Sequence, residues 1–445
     1  MILFAIIGIA VFLRVSAAFY LGDATPPAKD ETSYSTLAFR LAEGNGFSFP
    51  QAWYPFTPPD VHTAHWSFFF TLYVAAVYRL VGLHPLAVRL LTAVIGGALL
   101  PVVVYVLSSR FYAVNSQPAL KTDRVVISRQ AVTPLVAAFL AAIYAYFVLF
   151  SAQLMTETFF IIALLWSLER TIALSQKIDR DFRFQDAFWL GIAFGLATLL
   201  RQSILPWIVA VLVWLLWVGL RKRVFKPTFL AALVIVALVA LFILPFSLLN
   251  YRAYGDFLLL NSNAGYAMYS AQHPMHGTSF QAYVAAPLPD DLDPMPQNEA
   301  QWDRTLMRLG IQFVLDEPIR YLRLSLSRIA DYFEFWPTSD SGLIFNLGRL
   351  LSFTLFLPFM VAGIGLALRE NQQLSQRRWL DFTMTPLALL LIFIFFYSLL
   401  HILTWAMTRY RLPVDAVLLI FAAHPLVLLS SYTAKRVVNA GFHRK

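Results

Sequence analysis

Runs of mostly apolar residues, each about as long as a helix that crosses a bilayer, recur along this chain and settle its class before any motif is considered. Crossing the hydrocarbon core takes ~20 largely apolar residues in helical form. Ten runs answer to that: 1–21, 84–107, 131–150, 155–173, 187–200, 203–220, 228–249, 347–368, 379–403 and 412–431. The 187–200 run is short and is expected to end within the outer interface. Hydrophobic residues make up 59% of the chain and charged ones 13%, against ~45–50% and ~25% in soluble domains. Mean hydropathy is +0.65. The ~10-residue alternating segments of a membrane barrel are absent. These features predict an all-α polytopic membrane protein of about ten transmembrane helices. Arg14 interrupts the first run, and no basic leader with a small-residue cleavage site is evident, so 1–21 reads as a retained span.

The connecting segments orient the bundle. Basic residues collect between spans two and three (Arg110, Lys121, Arg124, Arg129), after span four (Arg170, Lys177, Arg180, Arg183), after span six (Arg221, Lys222, Arg223, Lys226), after span eight (Arg369, Arg377, Arg378) and after span ten (Lys435, Arg436, Arg444, Lys445). With ten spans all five groups share one side, which the positive-inside rule assigns to the cytoplasm. Both termini are then cytoplasmic. The net charge of +9 mostly serves topology, so no nucleic-acid partner is expected. Residues 66–83, "WSFFFTLYVAAVYRLVGL", are apolar enough to cross, but a span there would put every later basic group outside. They read instead as an interfacial or re-entrant helix, with Trp66, Tyr73 and Tyr78 suited to that depth.

Two large extracytoplasmic loops follow, 22–83 and 250–346, within a single membrane domain covering 1–445. The second contains "APLPDDLDPMPQNEA", expected to be irregular. A helix over 299–330 is expected after it, with Leu306, Leu309, Phe313 and Val314 at helical spacing. The chain has no cysteine, which excludes disulfides, iron–sulfur clusters and thiolate zinc sites.

Charged groups near the bilayer are costly, at ~2.5–3.5 kcal/mol for a central charge, so those at the outer ends of spans are informative. They are Asp30 and Glu31 after the first span, Glu157 opening the fourth, Arg201 between the fifth and sixth, Arg252 after the seventh, and Arg409 and Arg411 before the tenth. Each has a plain explanation. Asp30 and Glu31 suit the start of a helix. Glu157 suits an interfacial ion pair. Arg201, and the Arg409–Arg411 stretch "RYRLP", suit headgroup contacts. Together, three acids and four arginines at helix ends that can converge describe a charged pocket just outside the bilayer core. Arginine forks hold phosphate, and a carboxylate can take a proton from a hydroxyl. That is the layout for glycosyl transfer from a lipid-phosphate sugar. His62 and His65 in "DVHTAHWSF", with His273 and His276 in "AQHPMHG", add candidate ligands for a divalent metal, His65 and His273 foremost. Their plainer role is as interfacial histidines or hydrogen-bonding partners of a sugar.

Several stretches resemble the GT-C glycosyltransferases, in the branch with protein O-mannosyltransferases and the lipid A aminoarabinose transferase. "DETSYSTLAFRLAEGNGF" resembles that family's first-loop Asp-Glu-x-x-Tyr motif. "HPLAVRLLTAVIGGAL" is similar to its second span, "SAQLMTETFF" to its second acidic motif, "GLATLLRQSILP" to its Gly-Leu-x-Thr-Leu-x-Arg element, and "TRYRLPV" to its last motif. "NYRAYGDFLLLNSNAGYAMYSAQHP" resembles the start of the large loop in bacterial relatives. The resemblance implies an inverting transfer from a polyprenyl-phosphate sugar to a lipid, glycan or protein acceptor. It places the reaction on the extracytoplasmic face, in a bacterial inner membrane, with no cofactor required. It implies Asp30 as catalytic carboxylate beside Glu31, Glu157 as second acid, and Arg201, Arg409 and Arg411 on the donor phosphate. Tyr34, Arg252, Asn261 and Tyr410 complete its substrate-binding set. Relatives often carry aspartate at Glu157, and many read "PPLY" where this chain has "AHWSFFF". The competing reading is a transporter or flippase of a lipid-linked sugar, which midplane charges and inverted repeats would favour; neither is found.

Overall fold

The computed structural model describes residues 1–25, 30–114, 124–281, 283–339, 341–374 and 379–442. Its elements are α1 Ile2–Leu21, α2 Asp30–Ala42, α3 Phe68–Val81, α4 Pro85–Val114, α5 Arg124–Ile143, α6 Ala145–Ser151, α7 Glu157–Lys177, α8 Phe184–Leu200, α9 Leu205–Arg221, α10 Phe225–Tyr254, α11 Asn263–Gln272, α12 Glu299–Asp316, α13 Pro318–Tyr332, α14 Leu343–Arg349, α15 Leu355–Leu374, α16 Trp379–Phe382, α17 Pro386–Leu403 and α18 Leu412–Phe442. Among the described residues there is no strand, only isolated bridges Ser48–His62 and Trp53–Thr57.

Every expected span overlaps a helix or a pair of helices joined at a bend, and the all-α membrane architecture holds. The count of ten needs qualifying. Among the described residues eight helices are long and apolar enough to cross a membrane, or nine if α5 and α6, bent by 55° at their junction, are counted as one span. The tenth, α8, has 17 residues; at 1.5 Å per residue it is ~26 Å long, short of the ~30 Å hydrocarbon core. α3, with 14 residues, is ~21 Å long by the same measure and is too short to cross. The last expected boundary also shifts. The span written as 379–403 begins at Pro386, where the Thr385 side chain caps the helix by accepting from Ala388 N.

The bend between α5 and α6 is stabilised by the arginine that interrupts α1. Arg14 is fully buried and donates to the carbonyls of Ala142 (2.9 Å), Ala141 (3.1 Å) and Ala10 (3.1 Å) and to Ser151 Oγ (3.2 Å). A break in a membrane helix strands carbonyls that only another group can satisfy, and the guanidinium does so here.

α7 and α18 form the buried centre of the bundle, with α1 and α10 on its outside. Two glycines allow close helix approach. A Cβ on Gly97 would lie 2.7 Å from Val11 Cα, and one on Gly363 would lie 2.0 Å from the Phe421 carbonyl oxygen. The expected irregular stretch lacks helix and strand over 286–298. The helix expected over 299–330 is two helices, because Pro318 disfavours helical geometry at the residue before it; Glu317 stands at φ −131°, ψ 64°.

At one end of the bundle, basic groups from different connections meet. Lys222 pairs with Asp179, Lys177 with Asp186 and Arg221 with Asp381. Asp30, Glu157, Arg201 and Arg409 gather at the opposite end. α3 lies at that end too, against α2, α4 and α8.

Candidate active site

Four helix ends and breaks carry the charges of this site. Asp30 opens α2 and Glu157 opens α7, both in first turns where the helix dipole favours an acid. Arg201 sits in extended conformation (φ −150°, ψ 109°) between α8 and the short turn Gln202–Ile204. Arg409 lies in the tight turn Thr408–Arg411 that leads into α18. Each is near a point where helical hydrogen bonding stops, so a side chain can point across the bundle end rather than into a neighbouring turn.

Acids and arginines alternate there. Arg409 Nη1 donates to Asp30 Oδ2 at 2.5 Å, and Arg409 Nε lies 4.0 Å from Glu157 Oε1. Arg201 Nη2 donates to that same Oε1 at 2.5 Å, and Arg201 Nε donates to Thr156 Oγ1 at 2.9 Å. The Tyr410 ring lies beneath both guanidiniums, 5.4 Å from that of Arg201 and 5.2 Å from that of Arg409, within cation–π range. His401 stacks on the same tyrosine at 4.9 Å.

Asp30 also accepts from Tyr54 Oη at 3.5 Å. Burial pushes its carboxyl pKa up, but the Arg409 guanidinium outweighs that by charge and hydrogen bond. Arg201 and His65 add to it, and the net pKa lies below the ordinary value. Burial lowers His65, against the pull of Glu299 and Asp30. Tyr34 is raised, first by burial and then by Asp30. Its hydroxyl accepts from Ser67 N at 3.5 Å, and its ring packs edge-on against Trp66 and Phe70.

The other expected site residues are engaged differently. Glu31 Oε2 accepts from Arg89 Nη2 at 2.8 Å and from Leu154 N at 3.0 Å, with both side chains buried. Arg89 further holds the carbonyls of Gly22 (2.5 Å) and Ala24 (2.9 Å). The acid beside Asp30 is therefore a strut between α2, α4 and the segment before α7, not a second free carboxylate. Arg411 is completely buried, 2.9 Å from Asp415 and 2.7 Å from the Tyr332 carbonyl, with its guanidinium over the Phe353 ring at 3.6 Å. It does not join Arg409 at the site, because two residues further along the turn the side chain points into the bundle. Arg252 is exposed on the last turn of α10 and is not brought to the cluster. Asn261 is buried and donates to the carbonyls of Ala64 (3.0 Å) and Trp66 (2.8 Å), so it holds the first loop in place.

Among the described residues no three His, Asp or Glu side chains converge to hold a metal ion. His65 packs against Phe56, Trp66 and Tyr266, and His273 against Tyr269 and Phe313.

Two residues outside the expected set organise the site. Gln202, next to Arg201, donates to the Asn261 carbonyl (2.9 Å) and Asn263 Oδ1 (2.7 Å). Glu299 is buried and accepts from Thr57 Oγ1 (2.6 Å), Ser262 Oγ (2.7 Å), Ala64 N (2.8 Å) and Tyr254 Oη (3.2 Å). This carboxylate, met by four neutral donors, pins the second loop onto the first. Nothing in its local sequence marks it, since its partners are distant in the chain. Arg89 was visible as a charge within an apolar run.

Residues 124–247 match the family model of dolichyl-phosphate-mannose-protein mannosyltransferases. No curated protein matches the chain. Among solved structures, the oligosaccharyltransferase AglB from Archaeoglobus fulgidus, in complex with an inhibitory peptide and a dolichol-phosphate, aligns with a TM-score of 0.58 at 16% identity. That alignment covers 98% of this chain and 52% of that one. The apo form of the A. fulgidus oligosaccharyltransferase aligns with the same score at 17% identity, over 99% of this chain and 52% of that one. The chain thus spans about half the length of these structures. ArnT from Cupriavidus metallidurans bound to undecaprenyl phosphate aligns at 12% identity over 94% of this chain and 77% of that one, with a TM-score of 0.39, too low to speak for a shared arrangement. The membrane fold is similar to that of the A. fulgidus oligosaccharyltransferase.

Proposed function

We propose that this chain, built on the GT-C glycosyltransferase fold, is an inverting glycosyltransferase that takes its sugar from a polyprenyl-phosphate donor. The observation that carries this reading is the alternation Asp30–Arg409–Glu157–Arg201 at one end of the bundle, with consecutive contacts of 2.5, 4.0 and 2.5 Å. A base beside two arginines suits an acceptor hydroxyl meeting a lipid phosphate. The mannosyltransferase family match over part of the chain, and the dolichol-phosphate in the AglB complex, support a lipid-phosphate donor.

In the reaction, Asp30 accepts the proton of an acceptor hydroxyl while its oxygen attacks the anomeric carbon. The bond from that carbon to the phosphate oxygen breaks, and its electron pair leaves with the polyprenyl phosphate. Phosphate needs little acid assistance to leave. A positioned base contributes ~10²–10⁴-fold, and Arg201 and Arg409 offset the charge that develops on the phosphate. Glu157 orients Arg201 through their ion pair. Sugar hydroxyls meet the polar and aromatic groups of the first loop, Tyr34, Tyr54 and His65. The site faces the extracytoplasmic side, in a bacterial inner membrane, and the acceptor is a lipid, glycan or protein. A divalent ion at His65 or His273 would need ligands from the substrate.

Purified protein incubated with a labelled polyprenyl-phosphate sugar and envelope acceptors should transfer label and release polyprenyl phosphate. Movement of intact donor across vesicle bilayers without transfer would favour a flippase instead.

A further inference from the structure

The arginine best placed to hold donor phosphate is the one that occupies the base. Arg409 meets Asp30 at 2.5 Å, while Glu157 keeps its own arginine, Arg201, at 2.5 Å. Two acids and two arginines make the cluster neutral. Arg409 Nε is buried and makes no hydrogen bond, and neither does Glu157 Oε2. Arg409 therefore has an N–H that no acceptor in the cluster satisfies, so its guanidinium is only partly held where it stands.

Resting on the donor reading above, we infer that phosphate binding draws Arg409 away from Asp30, so that Asp30 becomes a competent base only in the donor-loaded site. A phosphate anion added to a neutral cluster leaves it net negative. The carboxylate that loses its counter-ion is the one whose proton affinity rises. Exposure selects the same residue: the Asp30 side chain is 30% exposed and that of Glu157 2%. The groups facing Asp30 agree. Tyr54 and His65 come from the first loop, Tyr34 from its own helix, Arg201 from the α8–α9 break, and Arg409 from the turn before α18. Among these described groups only the two arginines are fixed cations, and both would turn to the phosphate. Arg409 thereby binds the donor phosphate and, until a donor arrives, keeps the base from accepting protons.

Two readouts test this on the full-length protein. Binding of a polyprenyl monophosphate is followed by calorimetry in two buffers of different ionisation enthalpy, which gives the protons taken up. Wild type should take up a fraction of a proton more than Asp30→Asn, the probe's own ionisation cancelling in the difference. Asp30→Asn should also bind the probe several-fold more tightly, because Arg409 no longer has to be displaced. In wild-type turnover, the acid limb of kcat should lie about a pH unit or more above that of kcat/KM for donor, since these report the loaded and free enzyme respectively. Equal proton uptake with coincident limbs would overturn the exchange and leave the phosphate site standing. Failure of wild type to bind the probe would instead remove the donor reading and the exchange with it.

Discussion

Glu31 and Arg89 form an ion pair at 2.8 Å with both side chains buried, one residue along the helix from an acid that meets a different arginine. Adjacent carboxylates on α2 thus meet different partners, because successive helical residues point about 100° apart. Glu31→Gln leaves Arg89 as an uncompensated buried charge and should cost about 3–5 kcal/mol, read as a lowered melting temperature in detergent. Asp30→Asn should melt close to wild type yet transfer sugar ~10²–10⁴-fold more slowly. A reversal of this order, with Asp30→Asn unstable and Glu31→Gln merely inactive, would interchange the two roles.

Arg201 and Arg409 should separate from Arg411 in the same way. Replacing Arg201 or Arg409 by Gln removes a charge-assisted contact of ~1.5–3 kcal/mol and should weaken donor binding about tenfold or more. Lysine should restore only part of it, lacking the bidentate fork. Arg411→Gln leaves Asp415 buried without its partner 2.9 Å away, and should lower stability first. Donor titrations beside thermal melts of the three variants check this; equal loss of donor affinity at intact stability for Arg411→Gln would restore it to the phosphate site.

Asp303 supplies a pH dependence of stability. Burial raises its carboxyl to about 6, while its oxygen accepts from Gly265 N at 2.6 Å. The folded state therefore binds the proton more tightly than an unfolded chain with its aspartates near ~3.9. Stability falls as pH rises from about 4 to 6 and stays lower above that. Asp303→Asn keeps an acceptor for Gly265 and removes the charge, so it should gain up to about 3 kcal/mol at pH 7 and almost nothing at pH 4. Melting curves across that range decide it; an equal effect at both pH values would rule out the ionisation as the cause.

Orientation is open to thiol labelling, since the chain has no cysteine. Cysteines placed at Asn45 and Asn298, on the site side of the bundle, should react with an impermeant reagent in intact cells. One at Lys222, at the opposite end, should react only after permeabilisation. Labelling of Lys222→Cys in intact cells would invert the bundle and put the site on the cytoplasmic side.

The sequence alone determined the membrane class, the positions of the spanning runs and the identity of the charges at their ends. These follow from local physics: apolar length, and the cost of a charge in hydrocarbon, which leaves each such residue visible against its neighbours. It did not determine which charge meets which. Asp30 and Arg409 are 379 residues apart, and only the folding of the whole bundle brings them together. Arg409 and Arg411 look equivalent in "RYRLP", yet the tight turn sends one to the site and the other into the core. Glu299 carries no local signal, because its meaning lies in four donors from three distant segments. The bend at α5–α6 and the Arg14 that satisfies it are likewise a tertiary pairing. Pairing among charges is decided by helix rotation and by where helices break, and both are set by the packing of the whole bundle.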